Sequence, residues 1–505
     1  MLLSKYNLKN IQVENTLLPD QELFELPEKV LQFGTGVLLR GLPDYFIDKA
    51  NKLGVFNGRI VIVKSTDGGD AAAFDKQDGL YTICVRGIEH GNKVEENVVC
   101  ASISRVLSAK SEWNMILECA HNPLMKIIIS NTTEVGIELV QDDIRRYPPV
   151  SYPGKLLAFL YERYKAFEGS KQSGMVIIPT ELIIDNGKKL ESIVTELAYL
   201  NGLEEAFIDW LENSNTFCNS LVDRIVPGKP DKIQKAKIES EIGFSDDLLI
   251  MTEVYRLWAI EGKPELTDVL SFAQVDKAVV IAEDINLFRE LKLRLLNGTH
   301  ILSSGIAFLS GLQTVKEGMD DEHMAQFIRS LMQDEIASAI PYKTTPEQTA
   351  EFSRTCLDRF RNPFIEHQWL SITVQYSSKI KLRVVPVLLQ HYALYNTVPE
   401  KIAIGFAAYI YFMRPVKEEN GMYYGKLNGN FYPVNDVKAF YFYENWQTIQ
   451  PSLMAVSVLR DVALWGYDLS TLAGFADAVQ EKLNEIEDIG MAAVIDPLRS
   501  KKSVA

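Results

Sequence analysis

Cysteine and histidine are both scarce in this chain, five and six residues in 505. The cysteines (Cys84, Cys100, Cys119, Cys218, Cys356) are scattered, odd in number and without CxxC spacing. That pattern argues against a disulfide framework or a zinc site and for a reducing compartment, with the cytoplasm as the default. The histidines His90, His121, His323, His367 and His391 show no HExxH or paired-ligand spacing, so no metal site is expected. Positive charge is short as well: 52 Lys+Arg against 67 Asp+Glu gives 52 − 67 = −15 at pH 7. A nucleic-acid or anionic-membrane partner would need clustered cations, so neither is expected, and an acidic small molecule would need a local cationic patch. Long apolar runs are absent too. The longest, Ile402 to Met413, falls short of the roughly 20 residues that span a bilayer and reads as a buried helix. The amino-terminal MLLSKYNLKNIQ lacks an apolar stretch before a small-residue cleavage site, so no signal peptide is expected.

What is present is an ordinary globular balance, 47% hydrophobic and 24% charged, over a length suited to two or three domains. KVLQFGTG, RIVIVKST, MKIIISNTT and GMVIIPTELI read as short buried strands. Gly41–Leu53 and Glu112–His121 lie between them with helical spacing. Continuous apolar runs separated by helices indicate parallel strands covered on both faces, hence a doubly wound α/β domain. From Ile281 long helical patterns dominate: Asp284–Leu296, Asp321–Ile336, Thr345–Arg361, Val398–Met413, Asn435–Trp446 and Leu469–Ile486. The expected organisation is a Rossmann-like doubly wound domain over 1–280, followed by a mainly α-helical domain over 281–505. No oligomeric state follows from the sequence.

Val30-Leu31-Gln32-Phe33-Gly34-Thr35-Gly36 has the form that brings backbone close to a pyrophosphate: an apolar strand, a turn without obstructing side chains, then a helix N-terminus. Leu39 stands where GxGxxG has its third glycine, so a plain strand–turn–helix corner is the other reading. After the second strand, Asp67 is the candidate for a ribose diol, which would favour NAD over NADP. It lies further from Gly34 than the usual ~20 residues, Lys64 nearby weakens that preference, and Asp67 also reads as a turn residue before Gly68.

The segment Lys292-Leu293-Arg294-Leu295-Leu296-Asn297-Gly298-Thr299-His300 carries the chemistry. At about 100° per residue of α-helix, Lys292, Asn297 and His300 fall within an arc of about 140°. An ammonium, an amide and an imidazole on one surface suit carbonyl reduction: a proton for the nascent alkoxide, a donor to polarise the carbonyl and a group to orient the substrate. An exposed lysine, a helix-ending Asn-Gly and a core-edge histidine are the alternative.

FGTGVLLRG, QDGLYT (77–82), NTTEVG (131–136), VDRIVP (222–227), KLRLLNGTH and RFRNP (359–363) occur together in the order typical of the polyol-specific long-chain dehydrogenases. The chain resembles that family, which includes mannitol 2-dehydrogenase and the hexuronate reductases, from around Glu28 to beyond Gly490. The resemblance implies a Rossmann domain, a helical carboxy-terminal domain, NAD, no metal and a lysine acid/base. Carried over, Lys292 is the acid/base, Asn297 polarises the carbonyl and His300 orients the substrate. Phe33, Gly34, Thr35, Gly36, Val37, Asp67 and Thr132 are the cofactor-binding candidates. Glu134 would lie near the proton path, or else cap a loop. Arg224, Arg359 and Lys379 are candidates for gripping a substrate carboxylate, with Arg361 and Arg383 in the same run of cations; solvated surface is the alternative for each.

The departures from the family pattern narrow the branch. Where mannitol and fructuronate enzymes carry CDN…NG, this chain has Thr180-Glu181-Leu182 before Asn186-Gly187, so Leu182 replaces the second oxyanion asparagine. Arg289 replaces a glutamate three residues before the lysine. With RFRNP and Ser377-Ser378-Lys379, these changes resemble the branch that interconverts D-tagaturonate and D-altronate. A fructuronate reductase or a mannitol-type polyol dehydrogenase is the alternative. Tyr161 and Lys165 match the YxxxK of short-chain dehydrogenases, but in a charged amphipathic stretch that reads as surface helix.

Overall fold

Four of the apolar runs become neighbouring parallel strands because each presents β-branched side chains to two buried faces. In the computed structural model, which describes residues 1–13, 15–65, 71–132 and 136–496, the central sheet has six strands. They are β1 (Glu28–Phe33), β2 (Arg59–Lys64), β3 (Ile103–Ser108), β4 (Ile127–Ser130), β5 (Val176–Pro179) and β6 (Thr216–Phe217), in the spatial order β3-β2-β1-β4-β5-β6. Every recorded pairing is parallel; Leu31, for example, lies opposite Val61 on one side and Ile128 on the other. This is the strand order of a Rossmann fold, and its switch point lies between β1 and β4.

Alternation along the strands sorts the side chains into two cores. Val30, Ile60, Ile62, Ile127, Ile129, Val176 and Ile178 enter one, with Phe46 and Ala50 from the helix Pro43–Lys52 and Leu42, which caps it. Leu31, Val61, Val63, Ile128 and Ile177 enter the other, against Ile116, Leu157, Phe159, Val194 and Leu197 of three covering helices. A strand buried on both faces needs no polar alternation, which is why these segments are continuously apolar. Tyr81–Glu89 and Asn92–Cys100 form a hairpin in a second sheet; His90 and Gly91 both take positive φ at its turn, as a two-residue hairpin requires.

By its internal contacts the chain divides into two units, Met1–Gly87 with Lys93–Ile285, and Ile88–Asn92 with Asn286–Ala505. The second unit is mainly helical, with one small antiparallel sheet, Lys417–Glu419, Met422–Leu427 and Asn430–Pro433. Its central helix Glu400–Phe412, the apolar run of the sequence, packs against Thr299–Leu309 and Phe475–Ile489. A Cβ on Gly405 would stand 2.6 Å from Leu302 Cδ2, so any larger residue would force the Leu302 side chain to move where the two helices approach. Among the described residues no helix is long and apolar enough to cross a membrane. Tyr161 lies on the charged helix Tyr152–Ala166, where its hydroxyl meets Glu204 Oε2 at 3.1 Å and Lys165 pairs with Glu162 at 2.7 Å, a surface arrangement.

Candidate active site

The glycine corner sits where β1 ends beside β4. The Gly34 N–H donates to the Val63 carbonyl at 3.1 Å, and the Asn131 N–H to the Phe33 carbonyl at 3.2 Å. Gly34 has φ +125°, and a Cβ there would meet the Asn131 carbonyl oxygen at 2.9 Å, so no other residue fits without strain. Gly36 is different. It caps the short helix Val37–Gly41 at φ −60°, ψ 154°, and a Cβ on it would meet no atom of the described residues within 4 Å. Thr35 and Val37 are half-buried beside it. The open space above a bare backbone is what a dinucleotide pyrophosphate requires, so these residues fit NAD. Phe33 fits less well than expected: its side chain is 1% exposed, packed 5.1 Å from the Tyr152 ring, and its carbonyl is already taken by Asn131. Its part is to end the strand.

At the ends of β4 and β5 a buried carboxylate ties the rim together. Glu181, 3% exposed, accepts from the Thr132 N–H at 2.8 Å, from Thr132 Oγ1 at 3.0 Å and from Ser130 Oγ at 3.2 Å. Thr132 is therefore held in place beside the corner by a residue that the sequence reading noted only as part of a departure. Thr180 also turns inward, donating to the Ser130 carbonyl and accepting from Asn131 Nδ2, whereas Leu182 turns outward at 65% exposure. Asn186 is spent on the Pro179, Glu181 and Ser220 carbonyls. Asp67 and Glu134 lie outside the described residues.

Lys292, Asn297 and His300 lie on one continuous helical rod in the second unit, but the rod is not α-helical throughout. Asn286–Leu291 is α, Lys292–Gly298 is a π turn, and Thr299–Leu309 resumes as α. The arc of about 140° expected from α geometry is therefore corrected. Bonding of i to i+5 widens the turn, so Lys292 and Asn297, five residues apart, come onto nearly the same face. Such turns are rare and cluster at functional sites. Lys292 and Asn297 are half-buried. Arg294 points elsewhere: it pairs with Glu290 at 2.9 Å and donates to the Leu382 and Arg383 carbonyls at 2.6 and 3.1 Å.

His300 is walled by rings. It stacks on Phe360 at 3.9 Å and meets His367 at 5.3 Å and Trp369 at 6.2 Å edge-on. Its Nε2 is buried without a hydrogen-bond partner among the described residues. Burial first, then His367 and the guanidinium groups of Arg359 and Arg383, hold its pKa well below the usual imidazole range, so it is neutral at pH 7. His367 is lowered by burial and by Lys379, and Lys379 by burial and by Arg383, against Asp436. Arg359 and Lys379 thus belong to the surroundings of His300, with His367 and Arg383. The sequence offered His367 only as a residue without metal-ligand spacing; its one signal was its place just after RFRNP. Arg224 is a correction. It is 5% exposed in the first unit, stacked 4.7 Å over the Tyr45 ring, and donates to the Gly41 and Glu253 carbonyls at 2.6 and 3.0 Å. That guanidinium pins the VDRIVP turn through Nε and Nη1, while its Nη2 is buried without a partner among the described residues.

A sheet of this strand order with a glycine corner at its switch point, in one chain with a helical unit carrying lysine, amide and neutral imidazole on one rod, defines a dinucleotide-dependent dehydrogenase. The chain belongs to the mannitol dehydrogenase family: residues 28–271 match the mannitol dehydrogenase Rossmann domain and residues 284–487 the mannitol dehydrogenase C-terminal domain. It is 36% identical to the altronate oxidoreductase of Bacillus subtilis (strain 168) over 477 residues, 94% of this chain and 95% of that protein. It is equally 36% identical to the altronate oxidoreductase of Shigella flexneri, over 94% of this chain and 97% of that one. Two solved structures share the fold. Mannitol 2-dehydrogenase of Pseudomonas fluorescens, in a ternary complex with NAD and D-mannitol, matches at TM-score 0.67 and 22% identity, over 99% of this chain and 100% of that one. D-sorbitol dehydrogenase in substrate-free form matches at TM-score 0.77 and 19% identity, over 98% and 100%.

Proposed function

We propose that this chain is an NAD-dependent oxidoreductase that interconverts D-tagaturonate and D-altronate. Three things support the reading: the family membership, the altronate oxidoreductases that match over nearly the whole chain, and the surroundings of His300. That last observation carries the substrate class. A neutral imidazole beside the charges of Arg359 and Arg383, with Lys379 acting on the neighbouring His367, suits a ligand that brings a negative charge to the site.

When bound, the nicotinamide supplies or accepts the hydride. The protein's own groups handle the oxygen and its proton. The Lys292 ammonium gives its proton to the alkoxide that forms as the ketone is reduced, and takes it back in the oxidation. Asn297, one π turn on, donates its amide N–H to the same oxygen. In a neutral imidazole one nitrogen carries the proton. Nε2 of His300, left without a partner among the described residues, is the atom available to donate to the substrate. Since Leu182 offers no amide and faces outward, Asn297 is the main side-chain donor to the developing oxyanion. The Gly34–Gly36 backbone leaves room for the pyrophosphate, and Asp67 is the proposed ribose ligand.

The five cysteines are buried and none is joined in a disulfide among the described residues, which supports work in a reducing compartment, the cytoplasm. The test is loss of NADH absorbance with D-tagaturonate, D-fructuronate and D-fructose. Tagaturonate giving the highest kcat/KM is the expected result, and fructose outrunning both acids would overturn the reading.

A further inference from the structure

We propose that Arg383 grips the substrate's carboxylate and thereby sets the preference for keto-sugar acids over neutral ketoses; this rests on the sugar-acid reading above. Around the site, neighbouring cations are already engaged. Arg361 pairs with Asp358 at 3.7 Å, Arg294 with Glu290 at 2.9 Å, and Lys379 donates to the Ile372 carbonyl at 2.9 Å. Arg383 differs. Its Nε is buried without a partner, and its guanidinium enters no hydrogen bond or ion pair with any described residue. A half-buried cation left so is costly, and a ligand that supplies the counter-charge would offset that cost.

Its position fits that role. Arg383 ends the helix Tyr376–Arg383, and Arg294 clasps the last carbonyls of that helix at 2.6 and 3.1 Å. A Cβ on Gly298 would stand 3.6 Å from the Arg383 carbonyl oxygen. The π turn that carries Lys292 and Asn297 is therefore fastened to the backbone that carries Arg383. The charge of Arg383 also reaches the His300 ring. In tagaturonate three hydroxyl-bearing carbons separate the ketone from the carboxylate. A cation close to the oxygen-binding imidazole, yet on another helix, suits a ligand whose two polar ends lie apart. The guanidinium fork can take a carboxylate through two parallel N–H bonds.

The experiment compares wild type, Arg383→Met and Arg383→Lys on D-tagaturonate and on D-tagatose, the same ketose with CH2OH in place of the carboxylate. Arg383→Met is expected to raise KM for tagaturonate about 10- to 100-fold, as for a lost charge-assisted pair, with kcat within a few-fold. Its kcat/KM for tagatose should stay within about threefold of wild type, a split that a merely structural residue would not give. Arg383→Lys should fall between, keeping the charge without the fork, and it carries the test if the methionine variant does not fold. A folded variant that keeps the wild-type preference for tagaturonate over tagatose overturns the proposal, as does a wild type with no preference for acids. Wild type that reduces fructuronate and not tagaturonate would sink the choice of substrate alone. The same comparison with fructuronate and fructose would then decide Arg383.

Discussion

Two glycines two residues apart, Gly34 and Gly36, are expected to respond to alanine in opposite ways, and the contrast tests the cofactor site. At Gly34 the methyl would meet the Asn131 carbonyl oxygen at 2.9 Å, with φ at +125°. Backbone strain of this kind costs about 1–3 kcal/mol. At about 2–4 °C per kcal/mol for a domain of this size, Gly34→Ala should lower the melting transition of the first unit by about 2–12 °C. At Gly36 the backbone is at φ −60° and a methyl would meet no atom of the described residues within 4 Å. Gly36→Ala should therefore leave stability unchanged or raise it by about 0.4–1 kcal/mol through the unfolded chain. Yet that methyl would occupy the space where backbone must approach a pyrophosphate. The Kd for NADH, from a fluorescence titration, should rise at least tenfold, about 1.4 kcal/mol. Unchanged stability with weakened binding is the signature of a ligand-shaped gap. Gly36→Ala binding NADH within twofold of wild type would refute the assignment of this corner.

Lys292→Ala should lower kcat by about 10²–10⁴-fold, the range for a general acid, while the Kd for NADH stays within twofold; steady-state kinetics beside the same titration checks both. Asp44 is wholly buried in the first unit, and burial, against opposition from Gln32 and Arg40, pushes its pKa up to about 7. Because that value exceeds the unfolded one, the stability it contributes is complete below about pH 4 and is lost as pH rises toward 7. Asp44→Asn should thus be more stable than wild type at pH 8, on the order of a few kcal/mol, with the gain shrinking toward pH 5 in urea titrations. Glu335 accepts the Lys401 and Ile402 N–H groups at 2.9 Å each, at the start of the helix Glu400–Phe412. Glu335→Ala should destabilise the second unit by about 1–3 kcal/mol without changing kcat, by urea unfolding and turnover.

The strands β1, β2, β4 and β5 were legible because a strand covered on both faces is apolar at every position, a pattern that needs no knowledge of neighbours. β3 was not. Arg105 interrupts it, and only the sheet shows that this arginine pairs with Glu28 at 2.9 Å. The hairpin of Tyr81–Glu89 and Asn92–Cys100 was likewise seen only as a short motif, since the strands that flank it in the sheet, Thr16–Leu17 and Ile250–Glu253, lie far away in the chain. The apolar helix Glu400–Phe412 followed from composition, and Thr345–Arg361 was placed to within a residue at each end because Thr345 caps it with Gln348 in a capping box.

By itself, then, the amino-acid order determined the local choices: which segments are strands or helices, where glycine must stand, and which residues carry acid, amide and imidazole. The tertiary structure alone decided how those groups are presented. A π turn and an α-turn have the same apolar periodicity to the eye, yet the first brings Lys292 and Asn297 onto one face. Whether an arginine is spent or available depends on atoms brought from elsewhere in the chain. Arg224 gives two of its three nitrogens to the Gly41 and Glu253 carbonyls, while Arg383 keeps its whole guanidinium clear of every described partner. Charge is written in the sequence, but its pairing is a property of distance, and distance is set only when the chain folds.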